Sequence, residues 1–280
     1  MNACNLPVTF LLPNDLDCTA TMSLLQEQGF YVVAHEAGAE NPSIPTWANS
    51  SLNPLGLAAK YPVATISRKD LLEPRGAYQL LNVFSMDECR KLIELSETLG
   101  YLEDAAVSLP RHIRHNDNLV WVVDDETVAI VWQRVAHLAR QKLAVFGDKQ
   151  PLGINARFRF YRYGPGDYFD FHTDGAWPGS RVIDQRLVAN AYPDRYSMMT
   201  ILILLSDDFE GGATRFQVHG EDRHSPDRRS EDISLVDVRT PAGAALCFPH
   251  GMHLLHCVHS SEPIVRGTKY IIRTDMLFEI

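Results

Sequence analysis

The second half of the chain alternates hydrophobic and polar positions in short runs that are rich in β-branched and aromatic residues. Side chains of a β-strand point alternately to opposite faces, so this pattern predicts strands with one buried face each. The eight predicted strands are Ile154–Tyr163, Tyr168–His172, Ser197–Leu205, Ala213–Val218, Asp232–Arg239, Ala244–Pro249, His253–His259 and Thr268–Glu279. No helical pattern lies between them. Together they predict an antiparallel core of two sheets, a double-stranded β-helix or jelly roll.

Helical spacing is found before this β-rich region. Ser85 and Glu88 match a capping box, in which the two residues satisfy backbone N–H groups at the start of a helix. We expect that helix to end near Leu99. A second helix is predicted from about Asp125 to Val145, because apolar residues recur there at helical intervals. The predicted fold class is therefore mainly β, with flanking helices that cover a sheet.

The first 75 residues are predicted to form a separate N-terminal part. A strand, a helix and another strand are expected there, at Val8–Leu12, Thr19–Gln28 and Phe30–Ala34. The segment Gly38–Leu57 contains three prolines and almost no charge, so we interpret it as a loop or linker. We therefore divide the chain into a β/α extension with its linker, residues 1–75, and a main domain, residues 76–280.

Composition narrows the classes of partner. Lys and Arg number 26 against 35 Asp and Glu, which gives a formal net charge of −9. Proteins that bind nucleic acid rely on dense Lys and Arg, so no nucleic-acid partner is expected.

The five cysteines are scattered without a CxxC pair, which is typical of a reducing compartment and predicts a cytoplasmic protein. No apolar run approaches the roughly 18 residues of a membrane span, so no membrane partner is expected. Nothing in these patterns indicates an oligomeric state.

The candidate chemistry begins at the run Phe171-His172-Thr173-Asp174. A histidine and an aspartate two positions apart on an extended segment point to the same side, so they can bind one metal ion together. Two histidines and one carboxylate on one face of a metal are typical of non-heme Fe(II) oxygenases. The C-terminal region offers four histidines as the third ligand: His250, His253, His256 and His259. We expect His250 and His253 to be exposed or hydrogen-bonded residues near a turn.

Three segments carry a family resemblance: YRYGPGDYFDFHTDG, MMTILILLSDDFEGGATRF and HSSEPIVRGTKYIIRTDMLF. In order and spacing they resemble the iron- and 2-oxoglutarate-dependent dioxygenases of the prolyl 4-hydroxylase type. The resemblance covers about Gly76 to Ile280, and Ile264 stands where the family pattern has valine. Several motifs in the right order point to a mechanism and say little about the substrate.

The resemblance implies that His172, Asp174 and His259 bind the iron. In this family the distal histidine typically stands ten positions before the lysine that binds oxoglutarate, and His259 and Lys269 have this spacing. His256, three residues earlier, is the alternative ligand. On a regular strand it would point to the opposite face.

The resemblance also implies contacts to 2-oxoglutarate. Lys269 would bind the distal carboxylate, because a buried cation is stable only when it is paired. Arg273 lies four residues further along the same strand, roughly 13 Å away, and is interpreted as a surface charge at a strand edge. Tyr163 resembles the oxoglutarate-binding tyrosine of the family, and a tyrosine that packs on the sheet is the alternative. Thr200 is a weaker candidate, because its strand lacks the tyrosine that related sequences often carry.

Further residues are candidates for lining the site. In Ile154–Tyr163 the even positions are apolar and the odd ones polar, so one face should pack in the core and the other should line a cavity or water. Gly211 and Gly212 are predicted to form a tight turn with positive φ. Four residues are candidate substrate contacts, with an ordinary surface role as the simpler interpretation: Arg114, Asn116, Trp177 and Arg181.

The resemblance implies Fe(II) and 2-oxoglutarate, with ascorbate as a further candidate cofactor. The implied reaction is hydroxylation of an unactivated C–H bond in a peptidyl or free amino acid or a small metabolite, with release of succinate and CO₂. Two alternatives stay open: a jelly-roll metalloenzyme that works without 2-oxoglutarate, and a non-catalytic binding module on the same fold. Lys269 argues against the first alternative, and the intact ligand set argues against the second.

Overall fold

The computed structural model describes residues 25, 29–60, 66–105, 109–141, 143–227 and 232–280, most of which form strands. Helices α1 (Met86–Leu99) and α2 (Asp125–Ala139) are followed by a 3-10 helix at Leu143–Phe146. The strands are β1 (Phe30–Glu36), β2 (Ile44–Asn49), β3 (Ser67–Asp70), β4 (Tyr78–Leu81), β5 (Arg114–His115), β6 (Asp117–Val122), β7 (Pro151–Ile154), β8 (Arg157–Tyr163), β9 (Tyr168–His172), β10 (Arg181–Ile183), β11 (Arg186–Val188), β12 (Arg195–Leu204), β13 (Glu210–Gly211), β14 (Thr214–His219), β15 (Ile233–Val238), β16 (Ala245–Pro249), β17 (His259–Ser261), β18 (Ile264–Arg266) and β19 (Lys269–Glu279).

Two larger sheets dominate the described part of the chain. The first has the strand order β1-β2-β6-β8-β19-β12-β16-β4-β3, with β7 paired to β19, and the second has the order β15-β14-β17-β9-β5. The pairs β10-β11 and β13-β18 form two small ribbons. Adjacent strands of the two main sheets are antiparallel, apart from the parallel pair β2 and β6. The predicted fold class, mainly β with flanking helices around a jelly-roll core, is confirmed.

Strand β8 shows how the first sheet is buried on both faces. Phe158 and Phe160 lie in the hydrophobic core that also contains Leu92 of α1 and other residues of both helices. The odd-numbered Tyr161 lies instead in the core shared with the second sheet, together with Phe216 of β14. The predicted alternation of faces is confirmed, and the polar face of β8 is directed into the space between the two sheets.

The start of α1 follows the predicted capping box. The Ser85 hydroxyl accepts a hydrogen bond from the Glu88 amide at 3.1 Å, and the Ser85 amide donates to Glu88 Oε2 at 2.9 Å. The helix ends at Leu99, and Gly100 follows with a φ of 90°. The local signals at both ends of this helix therefore predicted its bounds.

The interpretation of Gly38–Leu57 as a loop or linker was wrong. Strand β2 lies within it, paired with β1 on one side and β6 on the other. Pro45 precedes the residues of β2 that are in register with β6, so its missing N–H interrupts no hydrogen bond to that strand. Since β6 is far away in the sequence, local composition could not reveal this pairing. The boundary between residues 75 and 76 stays a prediction, although β1 to β3 all belong to the first sheet.

Two further boundaries differ from prediction. The strand Ile154–Tyr163 is divided at Asn155, whose amide donates to the Asp275 carbonyl and whose side chain accepts from the Arg157 amide. The second helix ends at Ala139, where the Arg140 amide still bonds four residues back to Ala136 and the next amide bonds three residues back to Leu138. The predicted segments Val8–Leu12 and Thr19–Gln28 lie outside the described residues, apart from Leu25. In the described ranges, no helix is both long and apolar enough to span a membrane.

The predicted strand His253–His259 was also wrong. Gly251 adopts a φ of 64° directly after β16, and turns follow, with the His253 amide bonded to His250 and the His256 amide to His253. Extended structure resumes only at His259, the first residue of β17. The choice between His256 and His259 therefore cannot rest on regular strand alternation.

Candidate metal centre

Two strands of the second sheet bring the clustered side chains together. His172 ends β9 and His259 begins β17, and the two residues face each other in the antiparallel register of this pair. Asp174 stands two positions after the end of β9. One potential ligand atom from each of the three lies within 4.8 Å of the others. His172 Nε2 is 3.8 Å from Asp174 Oδ1, and His259 Nε2 is 3.7 Å from Asp174 Oδ2.

Backbone carbonyls orient both imidazole rings. His172 Nδ1 donates to the Asp170 carbonyl at 2.7 Å, and His259 Nδ1 donates to the Cys257 carbonyl at 3.3 Å. The Phe169 ring also stacks on His172, with 3.6 Å between the ring centroids. A neutral imidazole that donates from Nδ1 carries its lone pair on Nε2. Both rings therefore present a metal-binding atom toward Asp174.

The charge states of this cluster suit metal binding. Burial lowers the pKa of His172 to about 3, and it also lowers the pKa of His259. Burial alone would raise the pKa of Asp174, but Arg273 and the nearby histidines outweigh it and hold that pKa well below its usual range. Metal ligands must be deprotonated, and these three groups are deprotonated at neutral pH.

A chain of hydrogen bonds holds the carboxylate of Asp174. Its Oδ2 accepts from Thr200 Oγ1 at 2.6 Å, and Arg273 Nε lies 3.4 Å from the same oxygen. The Thr200 oxygen in turn accepts from His250 Nδ1 at 2.7 Å, and the Ser197 hydroxyl donates to His250 Nε2 at 2.9 Å. Thr200, predicted as a contact to oxoglutarate, lies against Asp174.

The other C-terminal histidines lie outside the cluster of three. His250 is buried in the hydrogen-bond chain behind Asp174, and His253 donates from Nε2 to the Val145 carbonyl at 2.5 Å. The expectation that these two are hydrogen-bonded residues near a turn is confirmed. The ring of His256 donates from Nδ1 to the His253 carbonyl at 3.0 Å. Among the four, only His259 joins the group with His172 and Asp174.

Lys269 is a buried cation next to the cluster. Its Nζ donates to the Gly212 carbonyl at 2.7 Å and to Ser261 Oγ at 2.9 Å. Both acceptors are neutral, and within the described ranges no carboxylate forms an ion pair with this lysine. Burial lowers the pKa of Lys269 to about 7. Tyr163 faces it in the β8–β19 register, with the ammonium 5.2 Å from the ring centroid.

The turn at Gly211 and Gly212 makes room for this lysine. Both residues have positive φ values, 80° and 63°, as predicted. A Cβ atom on Gly212 would lie 2.4 Å from Ile264 Cδ1 and 3.3 Å from Lys269 Cδ. A side chain at this position would therefore displace the groups that surround the ammonium.

The clustered residues and the lysine share one cavity of about 30 Å³. Tyr161, Tyr163 and Phe169 contribute aromatic walls, and the other lining residues include His172, Asp174, His259 and Lys269. All of these side chains come from the facing surfaces of the two sheets or from the segment that follows β9. The arrangement can hold a metal ion with an anionic group beside it.

Charged residues that were not predicted lie beneath this cavity. Arg273, interpreted from the sequence as a surface charge, is buried beside Asp174, with its Nη2 atom 3.3 Å from Asp275 Oδ1. Arg159 Nη1 lies 3.3 Å from Asp275 Oδ2. The polar odd positions of β8 indicated Arg159, but no sequence pattern indicated that Asp275 would be fully buried between two arginines.

The four candidate substrate contacts fall into two groups. Arg181 pairs with Asp125 near the surface, so the surface interpretation fits this residue. Arg114 and Asn116 are buried instead, and Arg114 Nε donates to Asn116 Oδ1 at 3.0 Å. Trp177 is half-buried and lines a second cavity together with Arg114.

Comparisons with known proteins give a likeness of fold. No family model and no curated protein matches the chain. A viral collagen prolyl hydroxylase from Paramecium Bursaria Chlorella virus-1, solved with 2OG, is 16% identical over 74% of this chain and 97% of its own, with a TM-score of 0.45. A prolyl-4-hydroxylase from Pseudomonas putida is 17% identical over 72% and 92%, with a TM-score of 0.44.

A third solved structure is the prolyl hydroxylase from Trichoplax adhaerens in complex with a peptide fragment of the hypoxia inducible factor oxygen degradation domain. It is 15% identical over 72% of this chain and 83% of its own, with a TM-score of 0.48. Similarity at this level does not fix an activity for the present chain. The function therefore has to be inferred from the side chains of the site.

Proposed function

We propose that this chain is an Fe(II)- and 2-oxoglutarate-dependent dioxygenase that hydroxylates an unactivated C–H bond of a peptidyl or free amino acid or a small metabolite. Succinate and CO₂ would be the other products. The observation that carries the proposal is one cavity lined both by the group His172, Asp174 and His259 and by the buried ammonium of Lys269.

The donor set fits iron. Two neutral imidazole nitrogens and one ionised carboxylate oxygen converge from one side, which leaves coordination positions open for other ligands. The two rings are held by backbone carbonyls and the carboxylate by Thr200, so the donors are oriented before a metal binds. We propose His172, Asp174 and His259 as the iron ligands in preference to His256, which does not belong to the group that these three form.

The lysine fits the distal carboxylate of 2-oxoglutarate. An ammonium in a buried site is costly unless an anion compensates it, and Lys269 contacts only neutral acceptors among the described residues. We propose that the bound dicarboxylate supplies this anion and that Tyr163, which lines the same cavity, contacts it. Thr200 is assigned to holding Asp174, because its hydroxyl contacts that carboxylate and His250.

When bound, iron and 2-oxoglutarate supply the redox chemistry, in which dioxygen gives one oxygen atom to succinate and one to the product. The protein orients these partners and excludes bulk water with the aromatic walls around the cluster. We propose ascorbate as a reductant that keeps the iron in the ferrous state. We also propose a cytoplasmic location, which the buried thiols of Cys89 and Cys247, neither of them in a disulfide, support.

An anaerobic titration tests the metal and the keto acid together. Fe(II) and 2-oxoglutarate added to the full chain should give a metal-to-oxoglutarate charge-transfer absorption band. His172→Ala and His259→Ala should abolish the band, because each removes one of three metal-binding atoms. His256→Ala is the matched control and should retain it.

Two results would contradict the proposal. One is the absence of the band from the wild-type protein at saturating Fe(II) and 2-oxoglutarate. The other is retention of the band in His259→Ala with loss in His256→Ala, which would overturn the ligand assignment. A screen for succinate release from candidate substrates would then identify the reaction that the site performs.

A further inference from the structure

A second cavity adjoins the candidate metal centre. It has a volume of about 40 Å³, and Tyr161 and Arg273 line both cavities, so these two side chains form the shared wall. Of these two cavities, Arg114, Arg159 and Trp177 line only the second, and Lys269 lines only the first. Arg114 also lines a third cavity, together with Glu103 and Asp104. Lys269 and Arg114 therefore belong to different cavities.

Three buried N–H donors at this second cavity have no hydrogen-bond acceptor in the described part of the chain. They are Arg114 Nη2, Trp177 Nε1 and Arg273 Nε. Arg273 Nε is compensated electrostatically by Asp174, 3.4 Å away. The other two donors have no such neighbour, and a buried donor without an acceptor destabilises the folded protein. Such donors in a native protein call for an acceptor that water or a ligand supplies.

Arg114 in particular lacks a negative partner. Its Nε donates to the neutral Asn116, and its guanidinium lies 4.5 Å from the centroid of Tyr161 and 5.3 Å from that of Phe169. Within the described ranges no carboxylate forms an ion pair with it. A guanidinium held rigidly between aromatic rings is well placed to bind a carboxylate.

The positive charge at this cavity that has no carboxylate partner among the described residues is that of Arg114. Arg159 and Arg273 both pair with Asp275, and Arg273 also pairs with Asp174. The effect of these charges is visible at Tyr161, where burial alone would raise the pKa. The guanidinium groups of Arg114, Arg273 and Arg159 outweigh burial and lower that pKa instead.

We propose that this second cavity binds a carboxylate of the primary substrate, held by Arg114 and Trp177, so that the substrate is an organic acid such as a free amino acid. The proposal rests on the proposed function and narrows its substrate class. A volume of about 40 Å³ holds a carboxylate or a few water molecules. A neutral residue within a peptide would leave Arg114 uncompensated.

The test measures binding of a minimal carboxylate separately from turnover. The full chain, loaded with Zn(II) as a diamagnetic metal and saturated with 2-oxoglutarate, is titrated with propionate or with its neutral counterpart propionamide. Binding is followed by saturation-transfer NMR on the methyl protons. Saturation with 2-oxoglutarate keeps propionate away from Lys269. We expect propionate to bind at least about tenfold more tightly than propionamide.

Two variants and a control locate the binding. Arg114→Gln should weaken propionate binding by about tenfold or more, since it removes a charged donor. Trp177→Phe keeps the aromatic ring, removes only the N–H, and should weaken binding severalfold. Arg181→Gln, which removes the arginine that pairs with Asp125 near the surface, should bind as the wild type does.

The outcomes separate this inference from the proposed function. Equal binding of propionate and propionamide, or wild-type propionate binding in both Arg114→Gln and Trp177→Phe, would overturn the inference. It would also be overturned if Arg114→Gln weakened 2-oxoglutarate binding and left propionate binding unchanged. Absence of the Fe(II)–oxoglutarate absorption band, with selective propionate binding retained, would overturn the proposed function and leave the anion site standing.

Discussion

Thr200 Oγ1 donates a hydrogen bond of 2.6 Å to Asp174 Oδ2 and so joins the two sheets at the candidate metal centre. Thr200 lies on β12 in the first sheet, whereas Asp174 follows β9 of the second sheet. The ionised carboxylate can only accept, so the threonine hydroxyl donates to it, and the Thr200 oxygen is left to accept from His250 Nδ1. A buried imidazole therefore supports the threonine that orients the carboxylate.

We predict that Thr200→Val weakens metal binding by roughly 10- to 100-fold, because residues that orient a metal ligand have effects of this size. Valine preserves the shape of the side chain and removes the donor to Asp174. The measurement is a titration of the apoprotein with Fe(II) under anaerobic conditions and saturating 2-oxoglutarate, read from the charge-transfer band. Thr200→Ser retains a hydroxyl and should recover most of the affinity.

A structural role alone would give a different result. If Thr200→Val bound Fe(II) with wild-type affinity, the hydrogen bond would not contribute to the orientation of Asp174. If Thr200→Val and Thr200→Ser were equally impaired, the loss would come from packing on β12 and not from the hydroxyl.

Lys269→Met should raise the KM for 2-oxoglutarate by roughly 100-fold, because losing one partner of a buried charge pair costs about 2–5 kcal/mol. Methionine occupies a similar volume in the cavity without the charge. The effect should fall mainly on KM, since the lysine binds a part of the co-substrate that does not react. Lys149→Met is a matched control, because Lys149 Nζ contacts the Glu279 carbonyl at an exposed position. An unchanged KM in Lys269→Met would remove the lysine from the oxoglutarate site.

Binding of 2-oxoglutarate should also depend on pH through Lys269. Burial lowers its pKa to about 7 in the free protein, so the ammonium is present below that pH and is lost as the pH rises. The dianion binds the protonated lysine, and its affinity should therefore fall roughly tenfold per pH unit above 7, with uptake of about one proton near pH 8. Calorimetry in buffers of different ionisation enthalpy measures this uptake. A pH-independent affinity, or the same pH dependence in Lys269→Met, would contradict the assignment.

Much of the site was predictable because its signals are local. The alternation of side chains placed His172 and Asp174 together, and the positive φ values of Gly211 and Gly212 followed from the lack of a side chain. The capping box at Ser85 was likewise confirmed. Each of these depends on residues within a few positions of one another.

The remaining features depend on pairing between distant segments. Strand β2 pairs with β1 and, in parallel, with the distant β6, whereas its own proline-containing sequence resembled a linker. Arg273 resembled a surface charge because the sequence does not show that Asp174 and Asp275 would lie beside it in the interior. The unpaired donors of Arg114 and Trp177 became visible only when the strands that carry them were brought around one cavity.

The pair of Glu88 and Arg134 should stabilise the fold without affecting the site. Glu88 accepts from Arg134 Nη2 at 2.6 Å and from Nη1 at 3.0 Å, and both side chains are almost fully buried between α1 and α2. Glu88→Ala takes the carboxylate away from a buried guanidinium, which typically costs about 3–5 kcal/mol. We therefore expect a clearly lower midpoint of urea unfolding with wild-type Fe(II) binding in the folded protein. Glu94→Ala, which breaks an exposed pair with Arg90 on the same helix, should leave the midpoint unchanged. Equal midpoints for the two variants would show that the buried pair contributes little to stability.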